Sequence, residues 1–302
     1  MQTKELDILK TLEPDVQSIF QKHYQTKKPW YPHELLPWDN FSNKDNKPVI
    51  MDQEKRKAIA SSLYLNVLTE DNLPWYVLNT SKLFGNENEE TVWGDWLRQW
   101  TAEEDNHSYS LRLLITLNNL MDPKKLEDAR MHQMQNAIVP IQACASEGII
   151  YGAMQELAAR ISYRNLATIS EEIDGYPILA KIASDENRHH IFYRDVAKKG
   201  FEYFPSEFLI SLYNQVLGFQ MPGTGIIDFT QHALRVNKAN IFNFEMQHEL
   251  INLHLTNDIW KINELSDLTP EAEDAREKIH KIYERLTRIV NKQKQRKEEK
   301  NG

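Results

Sequence analysis

Two short stretches carry the same arrangement of acids and histidine. They are Glu103-Glu104-Asp105-Asn106-His107 and Asp185-Glu186-Asn187-Arg188-His189. Residues three apart project from neighbouring points of one helix face, so Glu and His at that spacing can reach a common cation. Both pairs also fall where a core-facing stripe should be apolar: Trp100, Glu104, His107, Leu111 and Leu114 in the first, Ile182, Glu186, His189, Tyr193 and Val196 in the second. A carboxylate buried on such a stripe costs several kcal/mol unless something pairs with it. Aligning the two stretches matches Glu104 with Glu186, which makes Glu103 the outer neighbour.

Two lone glutamates accompany these pairs. Glu70 shares a stripe with Leu63, Asn66, Leu73 and Val77, and Pro74 should kink the helix there because its ring disturbs the carbonyl four residues back. Glu156 shares a face with Ile149, Gly152, Ala159 and Tyr163. The order is therefore Glu, Glu-x-x-His, Glu, Glu-x-x-His on four long helical segments. Two such halves make a dinuclear centre of four carboxylates and two imidazoles, the arrangement of ferritin-like di-iron and di-manganese bundles. Divalent cations would largely offset the cost of burying the acids, and oxygen donors with imidazole suit iron or manganese. Two further Glu-x-x-His pairs, Glu245/His248 and Glu277/His280, lack the preceding acid and read as surface or helix-packing residues.

The elements that must position these residues are all helical. Helical spacing runs over about 4–26, 52–80, 90–120, 123–139, 146–170, 177–199, 204–219, 226–256 and 270–298, and hairpin-bounded alternation is hard to find. Breaks fall at "NLMDPKK", "EEIDGYP" and "QMPGTG", and Thr269-Pro270 reads as an N-cap followed by proline at the first helical position. The expectation is one all-α domain over 1–302, a ferritin-like four-helix core with flanking helices, closed by a charged helix or tail over about 285–302. Charged residues are 26% and the net charge is −8, which argues against a broad nucleic-acid surface. The single cysteine, Cys144, excludes an internal disulfide framework and a thiolate-rich metal site, and reads as a small core residue. The first residues lack the apolar run of a secretory signal, and no apolar run reaches the length of about 18 residues that a membrane helix needs. No membrane insertion and a cytoplasmic address are expected.

The sequence resembles the soluble acyl-[acyl-carrier-protein] desaturases of plants and bacteria over roughly residues 10–225. The motifs that carry the resemblance are "KPWYPHELLPWDN", "LTEDNLPWY", "WTAEEDNH", "MQELAARISYRN", "KIASDENRHHIFYRDV" and "FQMPG", and the bacterial, actinobacterial-type branch is the closer match. The resemblance implies that Glu70, Glu104, His107, Glu156, Glu186 and His189 are iron ligands. It implies that Asp185 hydrogen-bonds the first ligand histidine and that Trp30 lies on the electron path to it. It further implies O2-dependent insertion of a cis double bond into an acyl chain on acyl carrier protein, two electrons from reduced ferredoxin or a similar donor, a long narrow acyl cavity and a homodimer. Both protein partners would be acidic, so "EKRK" (Glu54 to Lys57), Arg188, Arg194, Lys198 and Lys199 are candidate docking residues.

The chain departs from the family pattern in two places. Where the family has Asn-Arg and then Gly around the first histidine, this sequence has Asp105, Asn106 and Ser108, so a cation beside the site is gone. Three residues after the third glutamate, a family threonine near the oxygen-binding face is Ala159, which removes a hydroxyl able to deliver a proton. Two alternatives stand beside desaturation: a di-iron oxygenase that hydroxylates or otherwise oxidises a carrier-bound acyl chain, and a ferritin-like metal-binding protein without turnover.

Overall fold

Proline and short polar caps set the helix starts. In the computed structural model, residues 2–36, 38, 51–85 and 90–301 are described, with side chains from 7 to 299. Pro37, Asp39 and Asn40 of the "KPWYPHELLPWDN" motif lie outside them. Twelve helical elements are labelled among the described residues, and no strand occurs there: α1 (Gln2–Thr26), α2 (Pro32–Leu35), α3 (Gln53–Glu70), α4 (Leu73–Leu83), α5 (Val92–Leu117), α6 (Pro123–Asn136), α7 (Ala145–Thr168), α8 (Tyr176–Tyr203), α9 (Pro205–Gly218), α10 (Phe229–Lys238), α11 (Phe244–Met246) and α12 (Pro270–Asn301). Asp52 caps α3 by accepting from Lys55 N, Thr91 caps α5 by accepting from Gly94 N, and Asp122 caps α6 by accepting from Lys124 N. Thr269 Oγ1 accepts from Ala272 N at the start of α12, as its position before Pro270 predicts.

Two expected helices are broken. The 52–80 segment is α3 and α4, separated at Asp71 and Asn72, with Pro74 in the first turn of the new helix. A proline there loses no helical hydrogen bond, so the predicted kink becomes a restart. The 226–256 segment divides at Asn240, whose φ of 56° is left-handed, and Asn243 then caps α11 by accepting from Met246 N. From Gln247 to Ile259 the chain continues as a wider π-helix. Cys144 is half-buried at the N-cap of α7 rather than in the core.

The core consists of two apolar clusters. One gathers Trp96, Met154, Phe192 and Tyr193, with Trp96 and Phe192 stacked face to face at a centroid distance of 3.5 Å. The other gathers Leu63, Leu111, Leu114, Tyr163 and Ile182. Three helices, α5, α7 and α8, and the junction of α3 with α4 pass from one cluster to the other. Along α5 the order is Trp100, Glu104, His107, Leu111; along α8 it is Ile182, Glu186, His189, Phe192; α7 has Glu156 between Met154 and Ala159, and Glu70 lies between Leu68 and Leu73. The predicted acids and imidazoles thus form a polar layer between two apolar ones. No described helix is long and apolar enough to cross a membrane.

Candidate metal centre

The six predicted residues meet in that layer. Glu70, Glu104, His107 and Glu186 each offer one ligand atom within 4.8 Å of the others, and Glu104, Glu156, Glu186 and His189 do the same. Glu104 and Glu186 belong to both groups, so the two quartets share two carboxylates. All six residues are buried. The structure adds three residues to the picture that the sequence reading did not place. Tyr163 Oη donates to Glu70 Oε1 at 2.5 Å, and Trp100 Nε1 donates to Glu156 Oε1 at 3.2 Å. Tyr163 and Trp100 both stood on the predicted stripes, which is the signal that could have found them. The third is Glu103, read from sequence as an outer neighbour; it is buried, and its Oε2 lies 2.7 Å from His189 Nε2.

Both histidines point Nδ1 into the carboxylates and Nε2 away from them. His107 Nδ1 lies 3.3 Å from Glu104 Oε2 and 3.6 Å from Glu186 Oε1, while His107 Nε2 lies 3.3 Å from Asp185 Oδ2. His189 Nδ1 lies 2.9 Å from Glu104 Oε1 and 3.5 Å from Glu186 Oε2. Asp185 lies behind the His107 ring, on the side away from the quartets. It accepts from Trp30 Nε1 at 2.8 Å and also from Arg188, and the Trp30 ring runs nearly parallel to that of His107.

The charges conflict without a cation. Burial raises the Glu70 pKa well above the usual carboxylate range, and the Glu104 charge adds to it. Glu186 is raised likewise, by burial and then by Glu104 and Glu156. Burial acts on Glu104 too, but His107 and His189 outweigh it and hold this carboxylate well below its usual range. Both imidazoles are raised well above 6.5, because the acids around them overcome burial. Glu104 Oε1, Glu186 Oε2 and His189 Nδ1 are buried without a well-oriented hydrogen bond among the described residues, although His189 Nδ1 lies within 3.5 Å of both oxygens. Buried donor atoms that converge from two carboxylates and an imidazole without well-oriented hydrogen bonds are what a cation site requires. The cluster fits a metal ion.

A partly open cleft lies beside this centre. Glu70, Glu104 and Glu156 form part of its wall, and Leu73, Leu83, Phe84 and Trp100 supply apolar surface. Ala159 is buried in the second apolar cluster, one turn beyond Glu156, and is not among the residues lining the cleft. The other Glu-x-x-His pairs stay apart from the centre: His248 Nε2 lies 2.8 Å from Thr287 Oγ1, and Glu277 faces solvent beside Lys281. Most of the candidate docking cations are engaged. Arg188 is turned in to Asp185, Arg194 pairs with Asp195, Lys55 with Glu172, Lys57 with Glu54 and Lys199 with Glu202.

A fatty acid desaturase family model matches residues 4–302. The chain belongs to the fatty acid desaturase family. This family of oxidoreductases includes a Mycobacterium tuberculosis protein named as an acyl-[acyl-carrier-protein] desaturase, DesA1, to which the chain is 30% identical over 93% of its own length and 86% of the relative's. The chloroplastic stearoyl-[acyl-carrier-protein] 9-desaturase of Gossypium hirsutum is 26% identical, over 96% of this chain and 77% of that one. The crystal structure of DesA2 from Mycobacterium tuberculosis H37Rv, also named as an acyl-ACP desaturase, shares the fold with a TM-score of 0.67 at 22% identity, over 89% of this chain and 99% of that one. The desaturase-family chain thus has the all-α, ferritin-like architecture expected from its sequence.

Proposed function

We propose that the chain introduces a cis double bond into a fatty acyl group carried on acyl carrier protein, at a pair of iron ions and with O2 as oxidant. The observation that carries this reading is the contact between the two quartets and the apolar cleft. The same glutamates that would hold the cations, Glu70, Glu104 and Glu156, form part of the cleft wall. A chain lying in the cleft therefore passes the centre directly.

Glu70 and His107 would serve one ion, Glu156 and His189 the other, and Glu104 and Glu186 both. A bound iron pair supplies the O2 chemistry that an unactivated C–H bond requires, which no side chain can provide. The protein's own residues bind and orient. Leu73, Leu83 and Phe84 exclude water from the acyl chain, and Asp185 fixes the His107 ring from behind. Trp30, bonded to Asp185, is the proposed entry for electrons from ferredoxin or a similar acidic donor. Overall, the acyl chain gives up two hydrogens, the donor supplies two electrons, two protons come from solvent, and O2 leaves as two waters. The same reading keeps the homodimer and the cytoplasmic address expected from the sequence, and the cation pair as iron, with manganese as the other metal that suits these ligands.

Ala159 favours a second outcome of the same chemistry. Without a hydroxyl at that position, proton delivery differs from the family pattern, and the oxidised carbon could retain an oxygen. One experiment separates the readings. Iron-loaded protein is incubated with reduced ferredoxin, O2 and acyl-carrier proteins of several chain lengths, and the products are weighed by mass spectrometry. Desaturation removes two hydrogens and hydroxylation adds an oxygen. Bound iron with every acylated carrier unchanged would leave only a metal-binding protein.

A further inference from the structure

The outer acids of the two motifs are exchanged between helices. Asp185, on α8, stands behind His107 of α5, and Glu103, on α5, stands behind His189 of α8. Each acid is itself contacted by a residue of the stretch that follows α1. Asp185 accepts from Trp30 at 2.8 Å; Glu103 Oε1 accepts from Gln99 Nε2 at 2.8 Å and lies 3.0 Å from Lys27 Nζ. Lys27 and Trp30 are three residues apart in the stretch that follows α1, so one short segment touches both outer acids. The Glu103 side chain is 5% exposed and that of Lys27 23%, which makes Lys27 the point where this chain of contacts reaches the surface.

We propose that Lys27, acting through Glu103, is a positioning residue for His189, so that the 27–30 segment clasps both imidazoles of the centre. The inference rests on reading the centre as a two-cation site. An imidazole that bonds a carboxylate through one nitrogen is fixed in rotation and presents a more basic second nitrogen to a cation. Glu103 does this for the ion between Glu104, Glu156, Glu186 and His189, and the Lys27 ammonium holds the acid in place over the ring. Removing the ammonium leaves Gln99 as the one group among the described residues, besides His189 itself, that the structure shows holding the Glu103 carboxylate. Asp185 and Trp30 do the corresponding work for the other ion, which gives each half of the centre its own control.

The test uses the full chain and Co(II), whose visible spectrum reports each site's ligand geometry. Lys27→Met and Glu103→Gln should weaken one of two bound ions by about 10- to 100-fold, the range found for lost outer-shell partners, and alter only that ion's spectrum. Lys27→Arg should restore binding of that ion, and Asp185→Asn should weaken the other ion instead. Lys27 is at the surface, so its variant answers the question even where Glu103→Gln does not fold. Unchanged affinity and spectrum of both ions in Lys27→Met, or equal weakening of both, would overturn the positioning role. Failure of the unaltered chain to bind two ions would instead overturn the metal-centre reading and the role that depends on it.

Discussion

Glu104 and Glu186 stand in both quartets, so they face the largest number of like charges at the centre. Their pKa values move in opposite directions, Glu104 down beside the two imidazoles and Glu186 up under burial and its acidic neighbours. Burial and the neighbouring acids push Glu70 and Glu186 toward their neutral forms, and divalent cations would supply the charge that offsets this. Changing Glu104 and Glu186 together to Ala should leave a folded protein that has lost most of its iron, measured by elemental analysis after gel filtration. Two irons per chain in that variant would sink the assignment. Among the departures from the family pattern, Ser108 has a defined contact. Its hydroxyl donates to Asp71, at the junction of α3 and α4, with Arg112 and Arg130 within 4 Å of the same carboxylate. Nothing in the structure explains Asn106.

At the scale of elements, close helix contact holds the polar layer in register. The α8 and α9 helices approach so closely at Gly200 that a Cβ there would lie 2.1 Å from the Phe208 ring. Phe208 is fully buried and cannot move aside without disturbing the first apolar cluster. Gly200→Ala should therefore destabilise the fold by about 1–3 kcal/mol, the usual cost of overpacking, read from urea unfolding. An unchanged midpoint would mean that α9 can shift away freely. The break between α3 and α4 is similarly consequential, because it ends the helix at Glu70 and lets α4 bring Leu73 and Leu83 to the cleft.

For the molecule as a whole, the centre ties four core helices together through charged groups, so metal and stability should be linked. A ligand bound only by the folded state stabilises it by about 2.7 kcal/mol at a hundred times its Kd. Stripping iron with a chelator should lower the unfolding temperature, and restoring Fe(II) should raise it again, with scanning calorimetry as the measurement. The double Glu104/Glu186 variant should show no such response. A metal-independent unfolding temperature in the unaltered chain would separate the cluster from cation binding. Partner docking is a separate problem at this scale. Most of the candidate docking cations, Lys55, Arg194 and Lys199 among them, are paired with acids that an acidic partner would have to displace.

The order Glu70, Glu104/His107, Glu156, Glu186/His189 was readable in the sequence because its rules are local. A period of 3.6 residues puts i and i+3 on one face, and an acid on an apolar stripe needs a partner wherever the helix lies. The helical class followed from the same periodicity. What the tertiary structure decided is which group meets which across helices: Glu103 with His189, Tyr163 with Glu70, Lys27 with Glu103, and Arg188 folded in to Asp185 rather than offered to a partner. The restart at Asp71 and the left-handed turn at Asn240 were hidden for a related reason. Their residues also occur within helices, and only packing selects the break. Pairings of this kind depend on the rotation and register of packed helices, set by contacts between residues far apart in the chain, and no local spacing encodes them.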